Sequence, residues 1–184
     1  MTGADLAGAN LAGATLGGVQ TGGVTGTPVA LPAGWRLAAG YLLGPTAELS
    51  GAYLYGISLP GFDLAGAELT GANLTGADLA GVNLSSADLT GATLPSASLT
   101  AADLTKANLG GADLSGAELP GDDLRQTGLL GVDLAGADLA GADLRGVAFS
   151  EDNGDDVASD LAGADLRDAD LAGAGAQPVR RQRR

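Results

Sequence analysis

The stretch Ala72-Asn73-Leu74-Thr75-Gly76-Ala77-Asp78-Leu79-Ala80-Gly81 decides the fold, because it states one five-residue pattern twice and the chain extends that pattern in both directions. Leucine returns at every fifth position from Leu49 through Leu54, Leu59 and Leu64 to Leu144, and Phe149 closes a series of 21 registers with no insertion or deletion. Two residues before each register stands a small or apolar residue, Ala in 14 of the 21, and two residues after stands Gly in 15 of the 21. The residue immediately before is mostly Asp, Asn or Glu. A fixed short period of this kind marks a repeat architecture, in which each unit buries its apolar side only by stacking on the next.

A period of five suits neither common element. On an α-helix each step turns the side chain by about 500°, which scatters the leucines around the cylinder. On a flat strand the odd spacing sends alternate leucines to opposite faces. All of them stay inside if the chain turns a corner once per five residues, so that every leucine points at one axis.

The motif Ala-(Asp/Asn)-Leu followed by two variable residues, as in Ala72-Asn73-Leu74-Thr75-Gly76, Ala77-Asp78-Leu79 and Ala137-Asp138-Leu139, resembles that of the pentapeptide-repeat family. The resemblance is continuous over residues 47–151, with shorter matches at 4–18 and 159–173. It implies an all-β fold, a right-handed quadrilateral β-helix of about eight coils with four five-residue sides per coil. The leucine and the small residue two before it then face inward and the other three outward. Leu54, Leu74, Leu94, Leu114 and Leu134 form one internal column, with coils about 4.8 Å apart. Each buried leucine contributes roughly 1.5–3 kcal/mol before chain entropy is set against it. Outward Asp and Asn suit the turns because their side chains bond nearby backbone amides, and Gly suits a turn position of positive φ.

This reading gives one domain over residues 1–173. Residues 1–18 are the first repeats and 47–149 the uninterrupted ones. Leu6, Leu11 and Leu16 are out of phase with Leu49, so residues 19–46 are read as an insertion, a short hairpin or irregular coil holding Trp35 and Tyr41, that caps or decorates one end. The phase slips again between Phe149 and Leu161, which makes 150–158 an acidic loop. Its Glu151, Asp152, Asn153, Asp155 and Asp156 carry enough oxygen for calcium, but their spacing is not that of an EF-hand, and no metal is assigned. Residues 159–173 are the last repeats, and 174–184 a basic tail expected to be disordered.

The formal net charge is −13, and four of the nine basic residues are Arg180, Arg181, Arg183 and Arg184. Without them the balance is 5 − 22 = −17. Such a body repels nucleic acid and anionic membrane and favours a protein partner. The chain has no Cys and no His, which excludes disulfides, thiol nucleophiles, histidine acid–base catalysis and zinc sites of the usual kinds. No cofactor is expected. No apolar run reaches about 20 residues and no secretory leader is visible, so the expected location is cytoplasmic.

Counting in twenties places Asp63, Asn83, Asp103, Asp123 and Asp143 in one outward column. Neighbouring columns add Asp78, Glu118 and Asp138, then Asp113 and Asp133, then Glu48, Glu68 and Asp88. Over residues 47–151 the net charge is −11 along about 25 Å of rod, approaching the charge density of duplex DNA. Tyr53 and Tyr55 point outward near the insertion, where they pack on Trp35 or Tyr41 as support or, if exposed, offer a protein contact. Asp122 falls inward where Ala or Val normally stands, one repeat before inward Thr127. A buried carboxylate is costly unless paired, so a local bulge or a partner such as Thr127 or Arg125 is expected.

No carboxylate pair sits in a dry cleft, so no catalytic residue is assigned and the chain is read as non-enzymatic. The expected function is a binding or scaffolding protein presenting acidic faces to a protein partner. The branch of the family that protects DNA gyrase by resembling DNA implies an alternative, a DNA-mimicking modulator of a type II topoisomerase. A third reading is a structural or surface spacer. An open coil end also allows an end-to-end dimer.

Overall fold

The computed structural model of the chain describes residues 1–151 and 159–177. From Glu48 onward, single-residue parallel bridges link positions 20 apart: Glu48 to Glu68, Tyr53 to Asn73, Ser58 to Asp78, Asp63 to Asn83, and so on up the chain. Four such columns close each coil, and the molecule is a right-handed quadrilateral β-helix. The N–H of an inward leucine donates to the next coil, as Leu74 does to the Thr93 carbonyl at 2.7 Å, while the residue before it donates to the previous coil, as Asn73 does to the Ala52 carbonyl at 2.9 Å.

Each corner is a tight turn closed by an N–H to the carbonyl three residues back, such as Ala77 to Leu74 at 2.9 Å. The second central residue of that turn has φ near 65°, as a type II turn requires, and Gly76 sits there at 64°. Where glycine is missing the backbone keeps the same shape: Ser86, Ser96, Ala101, Lys106 and Gln126 all have φ between 56° and 64°. The repeat imposes the turn even on residues that resist it.

The leucines from Leu49 to Leu144 and the small residues between them are buried in one continuous cluster. A second cluster, Leu6, Leu16, Val24 and Leu42, fills the first coils, and Trp35 packs against both. Toward the other end the axis opens, with Leu161 and Leu166 half-buried and Leu171 exposed. No helix among the described residues is long and apolar enough to cross a membrane.

Three boundaries differ from the sequence reading. Residues 19–31 are not part of an insertion: Thr25 bridges Asp5 and Ala30 bridges Asn10, each 20 residues on. The coil persists there although Thr21, buried, and Gly26 stand at the leucine positions. Glycine is required at 26 because a Cβ would strike the Ala7 backbone of the coil below. The true insertion is eight residues, since Gln20 bridges Glu48 and 48 − 20 = 28. It is taken up by a hairpin, β1 (Arg36–Ala38) antiparallel to β2 (Tyr41–Leu43), whose Trp35 lies over Gly44 so closely that a Cβ there would clash with the indole. With coils on both sides, this segment does not cap an end.

The second boundary is the acidic loop. Ser150 and Glu151 belong to a strand, β3 (Ala148–Glu151), not to a loop. The remainder of that segment, 152–158, lies outside the described residues. The third is the tail: Gly175–Gln177 form β4, parallel to β3, so the ordered coil runs past residue 173 because it still has a strand to pair with. Residues 178–184 lie outside the described residues. Across the acidic segment the rungs resume at 27, as from Asp133 to Asp160, then Asp138 to Asp165 and Asp143 to Asp170.

Candidate protein-interaction surface

Where the outward residue before a leucine is Asp or Asn, it is positioned by its own side chain. Asp63, Asn73, Asp78, Asn83, Asp88, Asp103 and Asp113 each turn Oδ1 back to accept the N–H two residues on, at 2.9–3.3 Å. This ties the side chain to the corner, and Oδ2 of Asp78 also accepts the Ser58 hydroxyl at 3.0 Å. The acidic columns are therefore fixed in register with the backbone rungs.

The column Asp63, Asn83, Asp103, Asp123, Asp143 is not uniform. In its first half, the Asn83 amide donates to Asp63 at 3.0 Å. In its second half, Arg125 holds Asp123 at 2.6 Å and reaches Asp143 in the next coil at 3.2 Å, while Arg145 holds Asp143 at 2.6 Å and reaches Asp170 at 3.4 Å. Two guanidinium groups thus lace three carboxylates. The hydrogen bonds from Arg145 hold the Asp143 carboxyl down at about 2, and those from Arg125 lower Asp123. Arg167 pairs with Asp165 in a neighbouring column in the same manner.

Between those halves the rung is broken. Among the described residues, every bridge in the run from Glu48 to Asp143 forms except that between Asp103 and Asp123. The cause lies at Asp122, which is inward and 2% exposed. Its partner is neither Thr127 nor Arg125, as the sequence suggested. Oδ1 accepts the Ala101 N–H at 2.8 Å, and Oδ2 is buried with no hydrogen-bond partner. Thr127, also buried, donates its hydroxyl to the Leu104 carbonyl at 3.2 Å. Arg125 is drawn outward because Asp123 and Asp143 offer it charge in solvent, where it need not be desolvated.

Tyr53 and Tyr55 do not pack beneath the insertion. They are 64% and 62% exposed, with rings stacked 6.2 Å apart at 13°. The Tyr41 hydroxyl instead accepts the Tyr53 backbone N–H at 3.1 Å, fixing the corner that carries the pair. An open groove of about 360 Å³ beside the hairpin is lined by Thr27, Pro28, Val29, Trp35 and Leu37, with Arg36 over Phe62 at 4.9 Å. Leu54, Leu74, Leu94, Leu114 and Leu134 are all fully buried and present nothing to this surface.

An apolar axis interrupted by Thr21, Asp122 and Thr127, with the charged columns on its outer faces, defines a repeat solenoid that meets other molecules through its exterior. The model for pentapeptide repeats matches residues 47–85, 83–119 and 123–151, in eight copies, and the chain belongs to the pentapeptide-repeat family. Solved structures similar to it include QnrB1, a plasmid-mediated fluoroquinolone resistance protein (16% identity, TM-score 0.39, covering 71% of this chain and 70% of that one). Others are HetL, involved in heterocyst differentiation regulation in Nostoc sp. strain PCC 7120 (25%, TM-score 0.27, 95% and 85%), and Rfr23 from the cyanobacterium Cyanothece 51142 (27%, TM-score 0.26, 69% and 85%). No curated protein matches the sequence.

Proposed function

We propose that this chain is a non-enzymatic binding or scaffolding protein that offers its outer faces to a protein partner in the cytoplasm. The observation that carries this reading is the Tyr53–Tyr55 stack, two large aromatic side chains left exposed on a rigid corner amid an acidic surface. Stacked tyrosines give contact area at low entropic cost, and the carboxylates Glu48, Glu68 and Asp78 favour a partner with basic groups. Replacing both tyrosines with alanine is expected to leave the melting temperature unchanged and abolish capture of the partner from native lysate. Unchanged capture with both rings removed would refute the reading.

The alternative is a DNA-mimicking modulator of a type II topoisomerase such as DNA gyrase. The net charge of −11 over residues 47–151 favours it. The arginine lacing of Asp123, Asp143 and Asp170 weighs against it, because that stretch of the face is partly neutralised. A supercoiling assay in which the protein neither inhibits gyrase nor protects it removes this alternative.

A further inference from the structure

Val82, Ala102, Asp122 and Ala142 follow one another at 20-residue spacing on the inside of one corner, and all four are buried. Asp122 is the one member with a charge to lose. Its intrusion rewires the coil beneath. At most corners from Gly51 to Gly121 the N–H of the left-handed turn residue donates to the carbonyl nineteen residues on, as Gly91 does to Gly110 and Gly111 to Leu130, both within 2.9 Å, and Lys106 on the Asp122 side is without that bond. At Ala101 that N–H is taken by the Asp122 carboxyl. Leucine N–H groups on either side, Leu99 to Glu118 and Leu109 to Gly128, keep their 2.8 Å ladder bonds, whereas Leu104 makes none to Asp123. Missing rung, diverted amide and orphaned Oδ2 all fall on one side of one coil interface.

The inward residues of the adjoining corners and coils are Ala102, Leu104, Leu119, Leu124, Thr127 and Ala142, none of which ionises. The charged groups of the same corners, Asp103, Lys106, Asp123, Arg125 and Asp143, are on the outer side, and Arg125 is engaged by Asp123 and Asp143. No counter-charge reaches Asp122.

We infer that Asp122 makes the interface between residues 101–104 and 122–127 a proton-operated seam in the rod, closed while its carboxyl is neutral and opened to water when it ionises. A carboxylate with one N–H bond in a column of alanine and leucine recovers hydration only by leaving that column. The absent ladder bond at Leu104 lowers the resistance to that movement. Burial pushes the carboxyl up to about 7, opposed by the Ala101 hydrogen bond, so the change falls near neutral pH. The seam also lies between Asp103 and Asp123, so opening alters the spacing of two carboxylates on the outer face. This inference does not depend on which partner that face binds.

The test is hydrogen exchange on the full chain at pH 5.5 and 8.5, corrected for the intrinsic pH dependence of exchange. Amides of 101–106 and 122–127 are read against 72–82 as an internal control. Protection at the seam is expected to fall at least about tenfold with the rise in pH while the control holds steady. Asp122→Asn, and Asp122→Ala should the first fold poorly, are expected to erase that fall. Equal protection at both pH values in the unaltered chain, or the same fall in both variants, overturns the proposal. Carbon-13 titration of the Asp122 carboxyl adds a direct reading: a midpoint near 7 supports it, and one near 4 overturns it.

Discussion

The interface between the coils of Leu74 and Leu94 and the interface between those of Leu104 and Leu124 are built from the same five-residue unit, yet they are held differently. In the first, Asn73 bridges Thr93, Leu74 bonds Thr93, and the inward column reads Ala72 to Ala92. In the second, one inward alanine has become aspartate and the rung from Asp103 to Asp123 is lost. The contrast teaches how local the damage stays. Asp123 bridges Asp143 at the next step and the Asp122 carbonyl still accepts the Asp143 N–H at 2.9 Å, so the phase is restored within one coil. A solenoid whose units touch only their neighbours confines a defect in this way.

That contrast can be broken or sharpened by substitution. The largest effect belongs to the regular half: Leu94→Ala is expected to cost about 2–5 kcal/mol by urea denaturation. The same change at half-buried Leu166, in the last coil, costs clearly less. Equal costs would mean that the axis is not progressively opening toward that end.

Next comes the defect itself. With its folded-state value near 7 against an ordinary value near 4, the Asp122 carboxyl leaves stability intact below pH 4 and removes it progressively as pH rises to 7. Asp122→Ala should therefore stabilise the chain by roughly 1–3 kcal/mol above pH 7, with the gain fading toward pH 4. A gain independent of pH would show that packing, not charge, distinguishes the two interfaces.

The turns supply a smaller contrast. Gly76→Ala places a side chain at φ 64° and is expected to cost about 1 kcal/mol, whereas Lys106→Gly, relieving the same conformation, should not destabilise the chain. Smallest of all is the arginine lacing. Arg125→Gln with Arg145→Gln should lower the melting temperature only slightly at low salt and not at all at high salt, because these pairs are exposed. The low-salt difference should vanish as pH falls through about 2, where Asp143 takes up its proton.

Much of this architecture is legible because leucine is placed with so few exceptions between Leu49 and Leu144. Where the marker residue changes, the leucine-based reading fails. Thr21 and Gly26 interrupt the leucines, which makes residues 19–31 look like an insertion although Ala4, Ala9, Ala14, Val19 and Val24 carry the period of five on to residue 24. The small inward column holds the signal that the leucine column loses. Asp122 is recognisable as inward from register alone, but its partner is not, because a backbone amide 21 residues earlier comes within reach only once coils are stacked. Likewise the arginines are visible beside the acidic column, whereas their reach into the following coil depends on the rise between coils.

The coils at Gln20–Glu48 and Asp133–Asp160 are 28 and 27 residues long, yet each rejoins the ladder on the column it left. Extra length in a coil is not converted into rotation of the later coils. Surface patterns on this rod are consequently addressed by angle and height alone, so a segment can be spliced into or cut out of such a coil while every distant side chain keeps its compass bearing.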